Sequence, residues 1–308
     1  MGYPGWLWIP VTLWAAFAQT LRNAAQRSLT GELGTLGATL VRFLYGLPFA
    51  ALWLYAVHAI GHFDFPALNL AFLGWVAIGA VSQIAATALL LKVMTERNFT
   101  LGVAYSKSEI IQVALFGFVF LGDRINWIVA GAIALGTAGV LMLAPADPKH
   151  PLRALLHVLH GWTSRIALLG IASGAGFALS AVGFRGAALA LRDTPFLMAA
   201  ASTLMIAQLI QTLLLGGWLC LRRRDVVIRV LRAWRASLFA GFMGAAASAG
   251  WFTAMAIEPV AHVRTLGLIE LLFSYIVSLR LFRERLQRRE LAGIGLLTLA
   301  LVVVTLSH

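Results

Sequence analysis

Charge is scarce in this chain. Only 12% of its 308 residues are Asp, Glu, Lys or Arg, against about 25% in an ordinary soluble domain. Acidic side chains are the scarcer kind, 12 against 24 basic ones, which leaves a formal net charge of +12. A single cysteine, Cys220, excludes a disulfide framework and a cysteine-rich metal site. There is no Gly-x-x-x-x-Gly-Lys-[Ser/Thr] run, so a P-loop nucleotide engine is excluded. There is no His-rich motif or Gly-x-Ser-x-Gly elbow to carry an integral membrane enzyme. What the chain has in plenty is apolar surface: 60% hydrophobic residues and a mean hydropathy of +0.86. That composition excludes a disordered or collagen-like chain and a soluble enzyme, and points to a polytopic α-helical membrane protein.

A helix needs about 20 mostly apolar residues to cross the hydrocarbon core. Ten such runs are present: 6–28, 35–60, 67–91, 99–121, 126–144, 163–191, 195–221, 236–257, 260–281 and 290–307. They are too long, and alternate too little, for transmembrane strands. Only 145–162 and 222–235 leave connections of any length, so no soluble domain is expected. Met1–Pro10 carries no positive charge, so a cleavable signal peptide is not expected. Trp6, Trp8, Trp127, Trp162, Trp218 and Trp234 fall near span ends, as an interfacial aromatic belt requires.

The basic residues sort by side. Seventeen lie at the connections after spans 1, 3, 5, 7 and 9, and two, Arg124 and Arg192, at those after spans 2, 4, 6 and 8. The positive-inside rule then places the odd connections in the cytoplasm and both termini outside. The basic excess is thus a membrane-surface feature, and the lipid bilayer rather than nucleic acid is the partner it implies. Two segments read as amphipathic helices lying on that surface: 152–159, with Leu152, Leu155, Leu156 and Leu159 on one face, and 227–234, with Val227, Val230, Leu231 and Trp234. His157 and His160 sit in the first at a spacing that permits shared ligation, but no further ligand is close, so neither metal nor cofactor is expected.

The chain repeats itself. Glu109 precedes Asp123-Arg124 by fourteen residues, and Glu270 precedes Glu284-Arg285 by the same interval. Ala130-Gly131 and Ala292-Gly293 follow, with one residue of slippage, and Arg22-Asn23-Ala24-Ala25 echoes Arg185-Gly186-Ala187-Ala188. Ten spans thus divide as five plus five: a first repeat over 1–145, an amphipathic linker over 146–162 and a second repeat over 163–308. An odd number of spans per repeat forces opposite orientations, the inverted repeat of many secondary transporters. The expected fold is therefore all-α integral membrane, ten transmembrane helices in two inverted five-helix repeats.

A mid-helix Glu, an apolar stretch, then Gly-[Asp/Glu]-Arg and a glycine-bearing span resembles the EamA-type transporters of the drug/metabolite transporter superfamily. The first copy here is Glu109…Leu121-Gly122-Asp123-Arg124…Gly131, and the second Glu270…Phe282-Arg283-Glu284-Arg285…Gly293. Arg42-Phe43 resembles that family's Arg-Phe pair. Ile110 and Leu271 stand where the family often has proline, and Arg283 where it has glycine. The family also usually keeps both termini in the cytoplasm, against the charge count here. The resemblance spans the whole chain and implies transport of small solutes, commonly metabolite export from a bacterial cell through its inner membrane.

Polar residues inside apolar spans are expensive, about 2.5–3.5 kcal/mol per charge on insertion scales, and so are the first candidates for function. In span 1, Gln19, Arg22, Asn23 and Gln26 draw one helical stripe, which reads as either a cavity face or a hydrogen-bonded seam. In span 4, Tyr105, Ser106, Glu109 and Gln112 share a face, with Lys107 round the helix. Arg42 in span 2 is a candidate partner for Glu109. In span 9, Glu270, Ser274 and Ser278 share a face, with His262 two turns before on the same side, and Arg264 nearer the end. Glu109 and Glu270 read either as coupling sites for a proton or cation or as members of fixed ion pairs. Arg22, Arg42, Lys107, Arg185 and Arg264 outnumber them, which favours a carboxylate-bearing or phosphate-bearing solute over a lipophilic cation. Gln83, Thr87, Gln208, Gln211 and Thr212 are expected to bond between helices. The small residues of 170–178 read as a close-packing face.

Three functions compete at this point. The first is a secondary transporter of small polar metabolites such as amino acids or organic acids. The second is an exporter of cationic drugs or amines. The third class is a non-transporting scaffold or a membrane enzyme.

Overall fold

In the computed structural model the described residues are 4–96, 103, 106, 109, 112, 127–143, 165–281, 288, 292, 293, 295, 296, 299, 300, 302 and 303. Among them there is no strand. Helix α1 spans Trp8–Leu44, α2 Leu47–Gly61, α3 Leu70–Glu96, α4 Trp127–Leu143 and α5 Arg165–Ala190. Helix α6 (Phe196–Gln211) passes through a π-turn, Thr212–Gly216, into α7 (Gly217–Arg222). Then come α8 (Arg224–Arg232), α9 (Trp234–Ile257), α10 (Val260–Leu266) and α11 (Ile269–Leu281). Six stretches of these described residues are long and apolar enough to cross a membrane: Trp8–Gly61, Leu70–Glu96, Leu168–Ala190, Phe196–Arg222, Trp234–Ile257 and His262–Leu281. The protein is an all-α membrane protein. Span 4 and the segment 152–159 lie largely or wholly outside the described residues, as do Asp123-Arg124, Glu284-Arg285 and Trp162.

The helix breaks follow from local chemistry. Gly34 interrupts α1 with φ +69° and ψ 172°, a conformation closed to most L side chains, and separates expected spans 1 and 2. Gln26 Nε2 donates to Ala38 O across that corner at 2.7 Å. Pro48 has no N–H for the Leu44 carbonyl, so α1 stops there and α2 starts afresh. Pro259 forces Glu258 into extended backbone (φ −136°, ψ 147°) and ends α9. A turn at Gly267 and Leu268 divides expected span 9 into α10 and α11.

Two helix pairs make the most extensive contacts, α1 with α9 and α3 with α5. Both close on small residues. A Cβ on Gly250 of α9 would lie 2.8 Å from Ala15 Cβ, and one on Gly183 of α5 would lie 2.9 Å from the Gly79 backbone nitrogen. A Cβ on Gly176 would meet Ala86 Cβ at 2.9 Å. Ser173 Oγ donates to the Ala86 carbonyl at 2.8 Å across the same seam. Backbones this close gain dispersion contacts that lipid tails cannot replace.

One expectation is corrected. Trp8 is not a belt residue: it is buried in the core, whereas Trp6, Trp127, Trp218 and Trp234 are exposed. In the second amphipathic segment Val226 and Val230 are buried against the protein, while Leu231 and Trp234 stay exposed. The reason is Gly37 of α1, whose missing side chain admits Val226 and Val230. Tyr45 Oη fastens the contact by donating to Val230 O at 3.1 Å.

Candidate functional site

The polar stripe of span 1 faces the protein interior. Arg22, Asn23 and Gln26 are buried and Gln19 is half-buried. Gln26 is spent on the α1 corner, Gln19 and Asn23 meet Glu270 of α11, and Arg22 stands behind Asn23. Gln19 Nε2 donates to Glu270 Oε2 at 2.7 Å, and Asn23 Nδ2 to Glu270 Oε1 at 3.0 Å. Arg22 holds Asn23 in turn, with Nε and Nη2 donating to its Oδ1 at 3.2 and 2.7 Å. Trp251 of α9 holds Gln19, donating from Nε1 to Oε1 at 2.8 Å. Glu270 thus receives two amide donors, each fixed from behind by a group that can only donate.

Arg264 of α10 extends the cluster. Its guanidinium lies 4.6 Å from the Trp251 ring centroid and 3.6 Å from Glu109 Oε1. Both members of that ion pair are buried, and a cation over an indole face gains further attraction in a dry setting. Arg264 is therefore the carboxylate partner that Arg42 was expected to be. Arg42 turns elsewhere, and donates from Nη1 to Thr87 Oγ1 at 3.1 Å and from Nη2 to Ser248 Oγ at 3.4 Å. It bridges α1, α3 and α9. The small side chains of α9 make room for this. A Cβ on Gly244 would lie 3.2 Å from Arg42 Cγ and 3.4 Å from Arg22 Cδ, so both stems pass over the same glycine.

The remaining expected residues divide. Gln112 is half-buried, and Ser106 is buried with Oγ donating to Val103 O at 2.8 Å. Tyr105 and Lys107 lie outside the described residues. Ser274 and Ser278 share the buried face of Glu270. His262 does not, because the turn at 267–268 breaks the register, and its Nδ1 pairs with Glu258 Oε1 instead. Arg185 stays away from the cluster and caps α9, donating to the carbonyls of Met255 and Glu258 at 2.7 and 2.6 Å. Gln211 Nε2 donates to Gln83 Oε1 at 2.8 Å, as an interhelical bond.

Four participants escaped the sequence reading: Trp251, Thr87 as an arginine acceptor, Ser248 and Gly244. Only Trp251 left a signal, as a tryptophan deep inside a span rather than at its edge.

No protein-family model matches this chain, and no curated protein matches it. A solved structure described only as "Crystal structure of protein" is similar over 97% of this chain and 96% of its own, with a TM-score of 0.69 and 16% identity. That likeness shows a shared fold over nearly the whole of both chains.

Proposed function

We propose that this chain is a secondary transporter, working as an exporter of small polar metabolites such as amino acids or organic acids, with protons as the coupling ion. It sits in a bacterial inner membrane, as ten helices in two inverted five-helix halves, in the manner of the EamA-type drug/metabolite transporters it resembles. One observation carries the reading: Arg22, Arg42, Arg264, Glu109 and Glu270 are all buried, and come together from different membrane helices. Five charges at such depth cost far more than packing requires, and intramembrane ionised groups typically mark a solute or proton path.

The contact pattern supports the inverted repeat. Spans 1 and 6 are mates under a five-span repeat, and so are spans 3 and 8. The seam of span 1 with span 8, where Gly250 meets Ala15, and that of span 3 with span 6, where Gly183 meets Gly79, therefore exchange with one another. Arg264 and Glu109 join spans 9 and 4, which are also mates.

The test is efflux from proteoliposomes loaded with an equimolar mixture of amino acids and organic acids, read by mass spectrometry. Efflux of at least one of these, accelerated by an imposed pH gradient and lost in Glu109→Gln, is the expected result. Efflux equal to that from protein-free liposomes, from folded protein, would leave a scaffold as the better reading.

A further inference from the structure

We infer that Arg22 and Arg42 form the anion-binding element of this site and take the carboxylate group of a small monoanionic or zwitterionic solute. The inference rests on the transport reading above and specifies which atoms meet the solute.

The charge ledger points there first. Among the described residues, the cluster holds three buried guanidinium groups, Arg22, Arg42 and Arg264, against two buried carboxylates, Glu109 and Glu270. Arg264 lies against Glu109. Glu270 accepts bonds from two neutral amides, Gln19 and Asn23. Arg22 bonds only an amide oxygen and Arg42 only two hydroxyls, so neither has a carboxylate in contact. Among the described residues, the guanidinium groups of this cluster outnumber its carboxylates by one.

Geometry points to the same place. Arg22 Nη1 and Arg42 Nε are buried and have no hydrogen-bond partner. An arginine donor left unmet in a dry interior forfeits its full desolvation energy, which an acceptor oxygen brought by a solute would restore. The two side chains come from opposite arms of α1 and cross the same glycine, Gly244, within van der Waals reach of it. Two neighbouring guanidinium groups repel one another, and a carboxylate placed between them turns that repulsion into two charge-assisted contacts. Asn23 and Thr87 keep the guanidinium planes oriented before the solute arrives.

The experiment uses the full chain in lipid nanodiscs and reads thermal stability against matched probes. The carboxylates are acetate and L-alanine, their uncharged-end counterparts acetamide and L-alaninamide, and inorganic phosphate is a separate arm. A ligand that binds only the folded state raises its melting temperature by mass action. The expected result is stabilisation by at least one carboxylate and not by its amide. Arg22→Lys and Arg42→Lys should each weaken the carboxylate about ten- to hundredfold, the loss of one charge-assisted contact. Gly244→Ala, which presses a methyl against both stems, keeps the test open if a lysine variant does not fold, and should weaken binding in the same sense.

Equal response to carboxylates and amides, a response to phosphate alone, or carboxylate binding that survives all three variants overturns the inference. The two readings fail separately. Arginine-dependent carboxylate binding without efflux would remove transport and keep the anion site. Efflux of amines or neutral solutes with no carboxylate response would do the reverse.

Discussion

Residue 270 must accept two hydrogen bonds, and its neighbours explain why only a carboxylate serves. An Asn or Gln amide has one accepting and one donating end. Trp251 Nε1 can only donate, so Gln19 must give it Oε1 and turn Nε2 toward residue 270. Arg22 can only donate, so Asn23 must give it Oδ1 and likewise turn Nδ2 toward residue 270. In Glu270→Gln one of these pinned donors faces another N–H. A buried donor stranded in this way costs about 1–3 kcal/mol. At about 2–4 °C per kcal/mol for a chain of this general size, Tm should fall by roughly 2–12 °C. Neither amide can flip to relieve it, because flipping only moves the conflict to Trp251 or Arg22.

This pairing permits a rescue that simple loss of charge does not. In Gln19→Glu with Glu270→Gln, residue 19 accepts from Trp251 with one oxygen and from the new amide nitrogen at 270 with the other. The amide oxygen at 270 still accepts from Asn23. Every bond is restored and the negative charge moves by one hydrogen bond. The double variant should recover most of the Tm lost by Glu270→Gln, while Gln19→Glu alone, with two carboxylates face to face, should be destabilised. Tryptophan-fluorescence melting of the four proteins in one detergent measures the cycle. A double variant that melts no higher than Glu270→Gln refutes the donor-only argument.

Gly183→Ala should cost about 1–3 kcal/mol, since the new Cβ would sit 2.9 Å from the Gly79 backbone nitrogen, which cannot rotate aside. The same thermal measurement checks it, with Gly131→Ala, whose Cβ position is open, as the control. On the exposed turn of α8, the hydrogen bond from Arg229 Nη1 to Asp225 Oδ2 (2.8 Å) holds the Asp225 carboxyl below its usual pKa. A depressed carboxyl stabilises the fold above its unfolded pKa, about 4, and loses that contribution as pH falls through the folded value. A carboxyl-carbon NMR titration should show Asp225 rising toward the ordinary value in Arg229→Ala. Finally, Arg224→Cys in a Cys220→Ser background should react with an impermeant maleimide in inside-out vesicles and not in intact cells. The opposite pattern would reverse the orientation read from the basic connections.

The long apolar runs were legible because burial in lipid demands length and hydropathy, both of which are local. Spans 1 and 2 fall on Trp8–Gly61 apart from residues 6 and 7, and the helices from Leu70 to Leu281 follow the expected segments closely where residues are described. Polar positions were legible as well, since an ionised residue in an apolar run stands out whatever its neighbours are. Their pairing was not. Helical spacing puts Gln19, Arg22 and Asn23 on one face, but nothing in span 1 says that Glu270 lies across from it. The choice between Arg42 and Arg264 as the partner of Glu109 depends on where α10 breaks from α11, a turn at 267–268 that the hydropathy of 260–281 runs straight through.

The two repeat-matched acids show how far a sequence echo reaches. In the proposed repeat Glu109 and Glu270 occupy equivalent places, yet Glu109 meets a guanidinium and Glu270 two amides. The echo that aligns Arg22 with Arg185 sets Asn23 against Gly186, and by the same offset Gln19 against Val182. The first half therefore brings two amides to Glu270, where the second has a valine and a glycine, neither with a polar side chain to offer Glu109. Trp75 packs on Gly186, and Arg185 is drawn to the end of α9. Under the proposed repeat, divergence at those two positions gives the two acids different neighbours. Charge balance then falls to Arg264, one turn before the break that separates it from Glu270.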